Sequence, residues 1–481
     1  MSSIDFSSLG PIVPEIFLSV TGMILLVLGV LRGNSSTNLM SWSVVGVLAI
    51  AMLFMANQNT NGEAILNGMF VHDRFTFFMK FLVISGLITC VTLSVQYLHQ
   101  DNVVRFEYPI LMLFAGVGMM LMVSSNDMLS LYMGLELQSL SLYVLAAIRR
   151  DHMKSAEAGM KYFVLGAISS GMLLFGISLI YGFTGTTNFH VIGQTLGEEV
   201  SIGAVLGFVF IMAGLAFKIS AVPFHMWTPD VYQGAPTSVT AFFAIVPKVA
   251  AIALIIRLLF VPFASLSDQW FQIMWFLSLM SMMVGAFAAL RQDNIKRLLA
   301  YSSIGNMGYV LIGIVAGGAS GLASVLVYLT IYMVMTAGTF GIVLCMRRDG
   351  AALEKVSDLA GLSRNSPWLA YPLAILMFSM SGIPPLAGFF GKFMVFKAAL
   401  ESGTYVLAVL GVLTSVVAAY YYLRIIKTMF FDDPVEKFDK EIETSRKIII
   451  GLSLFFVLVF IFNPSPLINI AQSSVVSMFG Q

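Results

Sequence analysis

Lys248 stands in the middle of an apolar run, Thr237 to Phe260, with no other charged residue within eight positions on either side. Glu136, Lys218 and Lys392 repeat the pattern, each a titratable group inside a stretch otherwise free of charge. An ionised side chain at membrane depth costs several kcal/mol, so such residues usually face a bundle interior or wet cavity and serve ion or proton traffic. One carboxylate and three amines can pass protons by pairing and unpairing. A Glu136–Lys218 ion pair at about 4 Å would gain on the order of 4 kcal/mol at an effective dielectric near 20, offsetting the desolvation of both groups. Opening it would strand the lysine in a dry site, which disfavours the charged form. Lys248 has no acid near it in sequence, and it lies too deep to snorkel to an interface. His225, beside Pro223, has a side chain whose charge changes near neutral pH; it reads equally as a proton bridge or a hydrogen-bonding strut. The bland alternative for Glu136 is a carboxylate bonded to a neighbouring hydroxyl for packing alone.

These residues need a scaffold that crosses a membrane many times. The 481 residues are 58% hydrophobic and 11% charged, with mean hydropathy +0.90, far below the roughly one-quarter charged content of soluble domains. Spans of about 20 apolar residues are expected near 11–31, 39–56, 75–97, 108–125, 127–148, 156–181, 202–222, 237–260, 270–290, 297–316, 320–346, 367–401, 404–430 and 447–470. The expected fold is therefore all-α and polytopic, with about fourteen transmembrane helices. Helices 7 and 12 are interrupted, at Ala221-Val-Pro223 and at Gly382-Ile-Pro-Pro385, because proline removes a donor and clashes with the preceding turn. In lipid the freed carbonyls must be met by protein or by water lining a cavity.

Eighteen of the 26 basic residues, among them Arg149, Arg150, Lys154, Arg347, Arg348 and Lys440, fall on odd-numbered loops and their flanks. By the positive-inside rule both termini lie on the outer side. The N-terminus, without a basic leader, reads as preceding a retained helix. Phe217-Lys-Ile-Ser220-Ala-Val-Pro223 matches Phe378-Ser-Met-Ser381-Gly-Ile-Pro384 at Phe, Ser and Pro, five spans apart. An odd offset turns the second copy over, the arrangement of inverted-repeat transporters. The units are then 1–107 with helices 1–3, 108–260 with helices 4–8, 261–430 with helices 9–13, and 431–481 with a cytoplasmic loop and helix 14.

Lys80 and Lys161, near span ends, read as interfacial or buried with equal weight; Lys397 reads as snorkelling and Glu15 as a local structural acid. Tyr420-Tyr-Tyr422 reads as packing and interface belt. Net charge is +1, which offers no basic surface for nucleic acid. Cys90 and Cys345 have no ligand spacing, and no nucleotide, flavin or iron–sulfur signature is present.

Gly214-Leu-Ala-Phe-Lys218-Ile-Ser-Ala-Val-Pro-Phe-His225-Met-Trp-Thr-Pro-Asp230-Val-Tyr-Gln-Gly-Ala-Pro-Thr237, followed by Pro247-Lys248, resembles the signature of the antiporter-like membrane subunits of proton-pumping NADH:quinone oxidoreductase, respiratory complex I. Asn294-Ile-Lys296-Arg297-Leu-Leu-Ala-Tyr301-Ser-Ser-Ile304 and Gly382-Ile-Pro-Pro-Leu-Ala-Gly-Phe-Phe-Gly-Lys392 are similar to the same family, and the likeness extends over essentially the whole chain. It implies fourteen helices in two inverted five-helix repeats, a switching pair Glu136–Lys218, a central carrier Lys248, and Lys392 on the outward route. Entry would run through the first half and exit through the second. Span ten has no acid matching Glu136 and span thirteen no match to Lys248, so the halves are not chemically equivalent. The resemblance further implies no cofactor on this chain, with NADH, FMN, iron–sulfur clusters and quinone in partner subunits. The partners would be other membrane subunits of the complex and the lipid bilayer, in a bacterial plasma membrane rather than the mitochondrial inner membrane. The rival readings are a subunit of the related multisubunit cation/proton antiporters, a scaffold subunit that holds its neighbours without pumping, and a relative with another electron donor.

Overall fold

The computed structural model describes residues 10–198, 200–439 and 442–479; Lys440 and residues 1–9 lie outside it. Helices α1 (Val13–Arg32) and α2 (Thr37–Ala56) lead into an antiparallel hairpin, β1 (Asn61–Ile65) and β2 (Phe70–Asp73), and then α3 (Arg74–Gln100). The first repeat comprises α4 (Glu107–Val123), α5 (Met128–Ala146), α6 (Met153–Thr184), a short surface helix α7 (Phe189–Glu198), α8 (Ile202–Lys218), α9 (Trp227–Gly234) and α10 (Thr237–Phe260). The second comprises α11 (Ser267–Ala289), α12 (Ile295–Ala316), α13 (Gly318–Val343), the two-residue strands β3 (Arg347–Arg348) and β4 (Ala351–Ala352), α14 (Leu362–Asn365), α15 (Pro367–Ser381), α16 (Ala387–Glu401) and α17 (Tyr405–Phe431). Helices α18 (Thr444–Val459) and α19 (Ser465–Phe479) follow.

All fourteen expected stretches fall on helices. Among the described residues eleven helices are long and apolar enough to cross a membrane, and α4, α8 and α15 are shorter apolar ones. The two interruptions stand where proline put them, between α8 and α9 and between α15 and α16. One expectation is corrected: 447–470 is not a single helix. The helix breaks before Asn463-Pro464, where proline prevents continuation, and a separate helix α19 packs on α3 and α13 and brings Phe479 to Phe260.

Contacts between loops assign them to two ends of the bundle. At one end Arg347 pairs with Asp101, Arg149 reaches Asp101 at 3.4 Å, and Asn294 bridges to Lys355. At the other, Phe70 bridges to Ser125, Asp127 to Asn188, and Ser320 bonds Glu401. Helix α4 starts from the first end and α11 from the second, so the repeats are inverted. Both open with a helix pair drawn together by glycine. A Cβ on Gly118 of α4 would lie 2.5 Å from the Gln138 amide nitrogen of α5, and one on Gly285 of α11 would lie 2.5 Å from the Gly305 nitrogen of α12. Small residues are what allow backbones this close in lipid, where no hydrophobic drive operates between helices.

The core is where the chain is apolar on all sides. The most apolar stretch of α10 is wholly buried, and those of α12 and α13 almost so, whereas α1, α2, α6, α17 and α18 turn large apolar side chains outward. A helix apolar all round and enclosed is the centre of a bundle. Lys248 therefore sits on the most enclosed helix of the protein.

The basic end holds a polar basin of about 860 Å³ lined by Arg149, Lys154, Lys296, Arg347, Glu354 and Asp358, among others. There Glu354 accepts from Lys296 at 2.8 Å and from Asn294 at 2.9 Å. Burial pushes the Glu354 carboxyl up, but the Lys296 ammonium and the two hydrogen bonds outweigh it and hold the group below its ordinary 4.5. A depressed folded value means that this stabilisation is complete above the ordinary value and is lost as pH falls through the lower folded one. Hydrogen exchange of the 350–358 loop is expected to rise as pH drops below about 4.5, after correction for intrinsic exchange. Glu354→Gln should remove that pH dependence; an unchanged profile would contradict the assignment.

Candidate functional site

Helix α8 ends at Lys218 because Ser220 adopts the left-handed region, φ +63°. The carbonyl of Phe217 is then taken by the Trp227 indole N–H at 3.0 Å, and the Val222 amide donates to Ser281 Oγ at 2.9 Å. Protein groups thus satisfy the break, as lipid requires. Lys218 is 7% exposed and donates to Ser139 Oγ at 2.7 Å and Tyr143 O–H at 3.4 Å. Ser139 lies three residues beyond Glu136 on α5 and Tyr143 seven, so all three share one face. Glu136 and Lys218 themselves make no ion pair within 4.0 Å, and Glu136 Oε1 is shielded from solvent without a hydrogen-bond partner. Lys218 instead bonds Ser139, about one turn along α5 from Glu136.

Lys248, 1% exposed, donates to Ser303 Oγ on α12, which is hydrogen bonded in turn to Tyr332 O–H at 2.7 Å. Its ammonium lies 5.7 Å above the Tyr232 ring, a cation–π contact strengthened by dryness. Between Lys218 and Lys248 runs an aromatic ladder: Tyr143 meets Tyr162 edge-on at 4.8 Å, Tyr162 stacks on Trp227 at 4.4 Å, and Trp227 meets Tyr232 at 6.3 Å.

Lys392, 5% exposed, donates to the Ser381 carbonyl at 3.0 Å and Ser415 Oγ at 2.9 Å, with the Tyr309 ring 4.8 Å away. Ser381 ends α15, so the ammonium neutralises the negative end of a half-helix. Gly382, at φ +87°, supplies the turn and also the space, since a Cβ there would lie 2.9 Å from Lys392 Cδ. Between Lys392 and α12 lies a crevice bordered by Ser302, Asn306, Tyr309, Tyr421 and Tyr422, too narrow to hold a water molecule. Ser302 is hydrogen bonded to Tyr422 at 2.5 Å, Asn306 donates to the Ser302 carbonyl at 2.8 Å, and Tyr328 donates to Asn306 at 2.7 Å.

Of the expected site residues, Lys218, Lys248 and Lys392 are each buried and bonded to hydroxyl or carbonyl oxygens, and Glu136 lies on the same face of α5 as Ser139, the partner of Lys218. His225 is not brought to any lysine; it is half-buried, with Nδ1 shielded and unpartnered. The tyrosine run divides: Tyr420 is exposed, as an interface residue would be, but Tyr421 and Tyr422 are enclosed and Tyr422 is polar-bonded. Lys80 is fully buried against Glu15 at 2.5 Å, while Lys161 is part-exposed at 2.8 Å from Asp230, and Lys397 is exposed beside Glu401. Ser302 and Ser303 stand in the family-like segment from Asn294 but carried no expected role, and Asn306, Tyr309, Tyr328 and Tyr332 were not singled out by sequence. Their signal is helical spacing, 302/306/309 on α12 and 328/332 on α13, polar faces on two apolar helices. Among the described residues no group of three or more His, Cys, Asp or Glu side chains is placed to hold a metal ion.

Hydrogen bonds to charged groups contribute about 1.5–3 kcal/mol. Ser303→Ala is therefore expected to destabilise the protein by roughly that amount when Lys248 is present, and by less beside Lys248→Met. Thermal unfolding of the four members of this double-mutant cycle checks it; additive effects would mean that the contact carries no energy.

Residues 125–418 match the family described as NADH:quinone oxidoreductase/Mrp antiporter, TM. NADH-quinone oxidoreductase subunit N of Paramagnetospirillum magneticum is 51% identical over 475 residues, covering 98% of each chain. A chain of respiratory complex I from Thermus thermophilus superposes with a TM-score of 0.81 at 31% identity, covering 95% of this chain and 98% of that one. A chain of the Mrp complex from Dietzia sp. DQ12-45-1b shares the fold, with a TM-score of 0.84 at 21% identity and 99% and 98% covered. Sequence and fold agree: the chain belongs to the NADH:quinone oxidoreductase/Mrp antiporter family of membrane subunits, among its subunit N members.

Proposed function

We propose that the chain is a proton-translocating membrane subunit of NADH:quinone oxidoreductase, with Glu136, Lys218, Lys248 and Lys392 as its relay. The observation that carries this reading is the setting of the three lysines: each ammonium is buried, and each is held by hydroxyl or carbonyl oxygens rather than by a carboxylate. A lysine without a counter-ion in a dry site gives up its proton more readily than one in a tight ion pair, and hydroxyls can both donate and accept. Closing Glu136 onto Lys218 would favour the charged amine, and opening it, the arrangement observed, would favour release toward Lys248. Ser303, Ser302 and Tyr422 offer the onward contacts to Lys392 at the second break. His225, at the mouth of the first break, serves as an accessory proton group.

This chain holds no redox centre of its own in this reading. Quinone reduction in partner subunits that carry NADH, FMN and iron–sulfur sites supplies the free energy, and other membrane subunits of the complex flank the chain. It lies in a bacterial plasma membrane with both termini on the outer side and the basic end facing the cytoplasm. Proton pumping and NADH:quinone turnover in membranes carrying Lys248→Ala, with assembly checked by the intact mass of the complex, test the proposal. Loss of pumping in assembled complex is expected. Pumping at the wild-type ratio would leave only the scaffold reading, and salt resistance without NADH oxidation would favour a cation/proton antiporter.

A further inference from the structure

Helix α9 is the short piece that continues the broken seventh span, and it reaches from the residue beside Lys218 to Lys248. Its first residue, Trp227, caps the Phe217 carbonyl next to Lys218, and Tyr232 lies beneath the Lys248 ammonium. The helix is held from the other repeat by consecutive residues of α12. Arg297 Nη1 donates to Asp230 Oδ1 at 2.5 Å and to Gln233 Oε1 at 3.3 Å. Lys296, 2% exposed, donates to the Ala235 carbonyl that ends α9, at 2.9 Å. Seven residues after Lys296, two turns along the same face of α12, stands Ser303, the partner of Lys248. A single rigid element thus carries the clamp on α9 at one end and the hydroxyl that holds Lys248 further along.

We infer that Asp230 and Arg297 are positioning residues for proton transfer: their ion pair, with Lys296 on the Ala235 carbonyl, locks α9 to α12 so that rearrangement at the Lys218 break is transmitted to the Lys248–Ser303 contact. Neither residue touches a carrier amine. Their effect is geometric, and a coupling claim of this kind requires an element that both sites bias; α9 is that element. The cation on α12 must reach Asp230 for the clamp to hold, so charge and reach both matter. Asp230 also accepts from Lys161 of α6 at 2.8 Å, which anchors α9 within its own repeat, while Arg297 links Asp230 across repeats beside the Lys296 bond to Ala235.

The inference rests on the relay reading, and the test separates the two. Protons translocated per NADH and turnover are measured on assembled complex carrying Asp230→Asn, Arg297→Gln, Arg297→Lys, the charge exchange Asp230→Arg with Arg297→Asp, and Lys248→Ala. Asp230→Asn and Arg297→Gln are expected to lower the proton-to-electron ratio about twofold or more, the low end for residues that modulate coupling between sites, while NADH oxidation continues. Arg297→Lys and the charge exchange should restore most of the ratio. If assembled Asp230→Asn complex pumps at the wild-type ratio, or if the variants reduce only the amount of assembled complex, the clamp has no part in transfer and the inference falls. If Lys248→Ala loses pumping in that case, the relay reading stands without the clamp; if it too pumps normally, the relay reading falls as well.

Discussion

Keeping an ammonium group inside a membrane without a permanent counter-ion is the constraint on which the rest of this structure depends. A buried cation needs oxygen ligands, and a carboxylate in constant contact would hold the proton too firmly to pass on. The protein meets both demands with hydroxyls and broken-helix carbonyls: Ser139 and Tyr143 for Lys218, Ser303 for Lys248, and Ser415 with the Ser381 carbonyl for Lys392. Everything around them excludes lipid and bulk water. Helices α10, α12 and α13 are enclosed nearly throughout, and glycine pairs bring α4 to α5 and α11 to α12 with backbones almost touching. Stable ion pairs are placed elsewhere, at Lys80–Glu15 and Arg257–Asp73, where they tie the N-terminal helices to the bundle and to α10.

The two repeats share a backbone plan and differ in chemistry. In the first, a carboxylate on α5 faces the lysine that ends the broken helix. In the second, the equivalent close-packed helix α12 carries Ser302, Ser303 and Asn306, and the lysine is on the far side of the break. The left-handed residue also differs, Ser220 in one break and Gly382 in the other, so the backbone correspondence is displaced by one residue from the Phe–Ser–Pro match in sequence. The repeats are also interdependent. Ser281 of α11 satisfies an amide in the first break, and the α12 N-terminus grips α9. Moving one half therefore strains the other.

Composition and apolar run length made the fourteen spans legible, and lone lysines within them marked three of the four positions proposed as the relay. Proline located both breaks. Partners were less legible, because they come from helices distant in sequence. Lys80 could not be distinguished from an interfacial lysine without knowing that Glu15, sixty-five positions earlier, meets it at 2.5 Å. Tyr422 read as packing, and Ser303 carried no expected role, because a hydroxyl in an apolar helix carries no mark of what it bonds. The Glu136–Lys218 separation depends on side-chain placement across a single helical turn, which spacing along α5 does not determine. The end of α18 was hidden because Asn463-Pro464 interrupts an apolar stretch without changing its average.

The central claim is that Lys248 works by giving up its proton, and a substitution that keeps the charge but not the proton release tests it most directly. Arginine remains protonated at any working pH. Proton translocation per NADH in assembled complex carrying Lys248→Arg should fall to the level of the alanine variant. Translocation at the wild-type ratio with a guanidinium at this position would show that a fixed positive charge suffices, and would contradict the account.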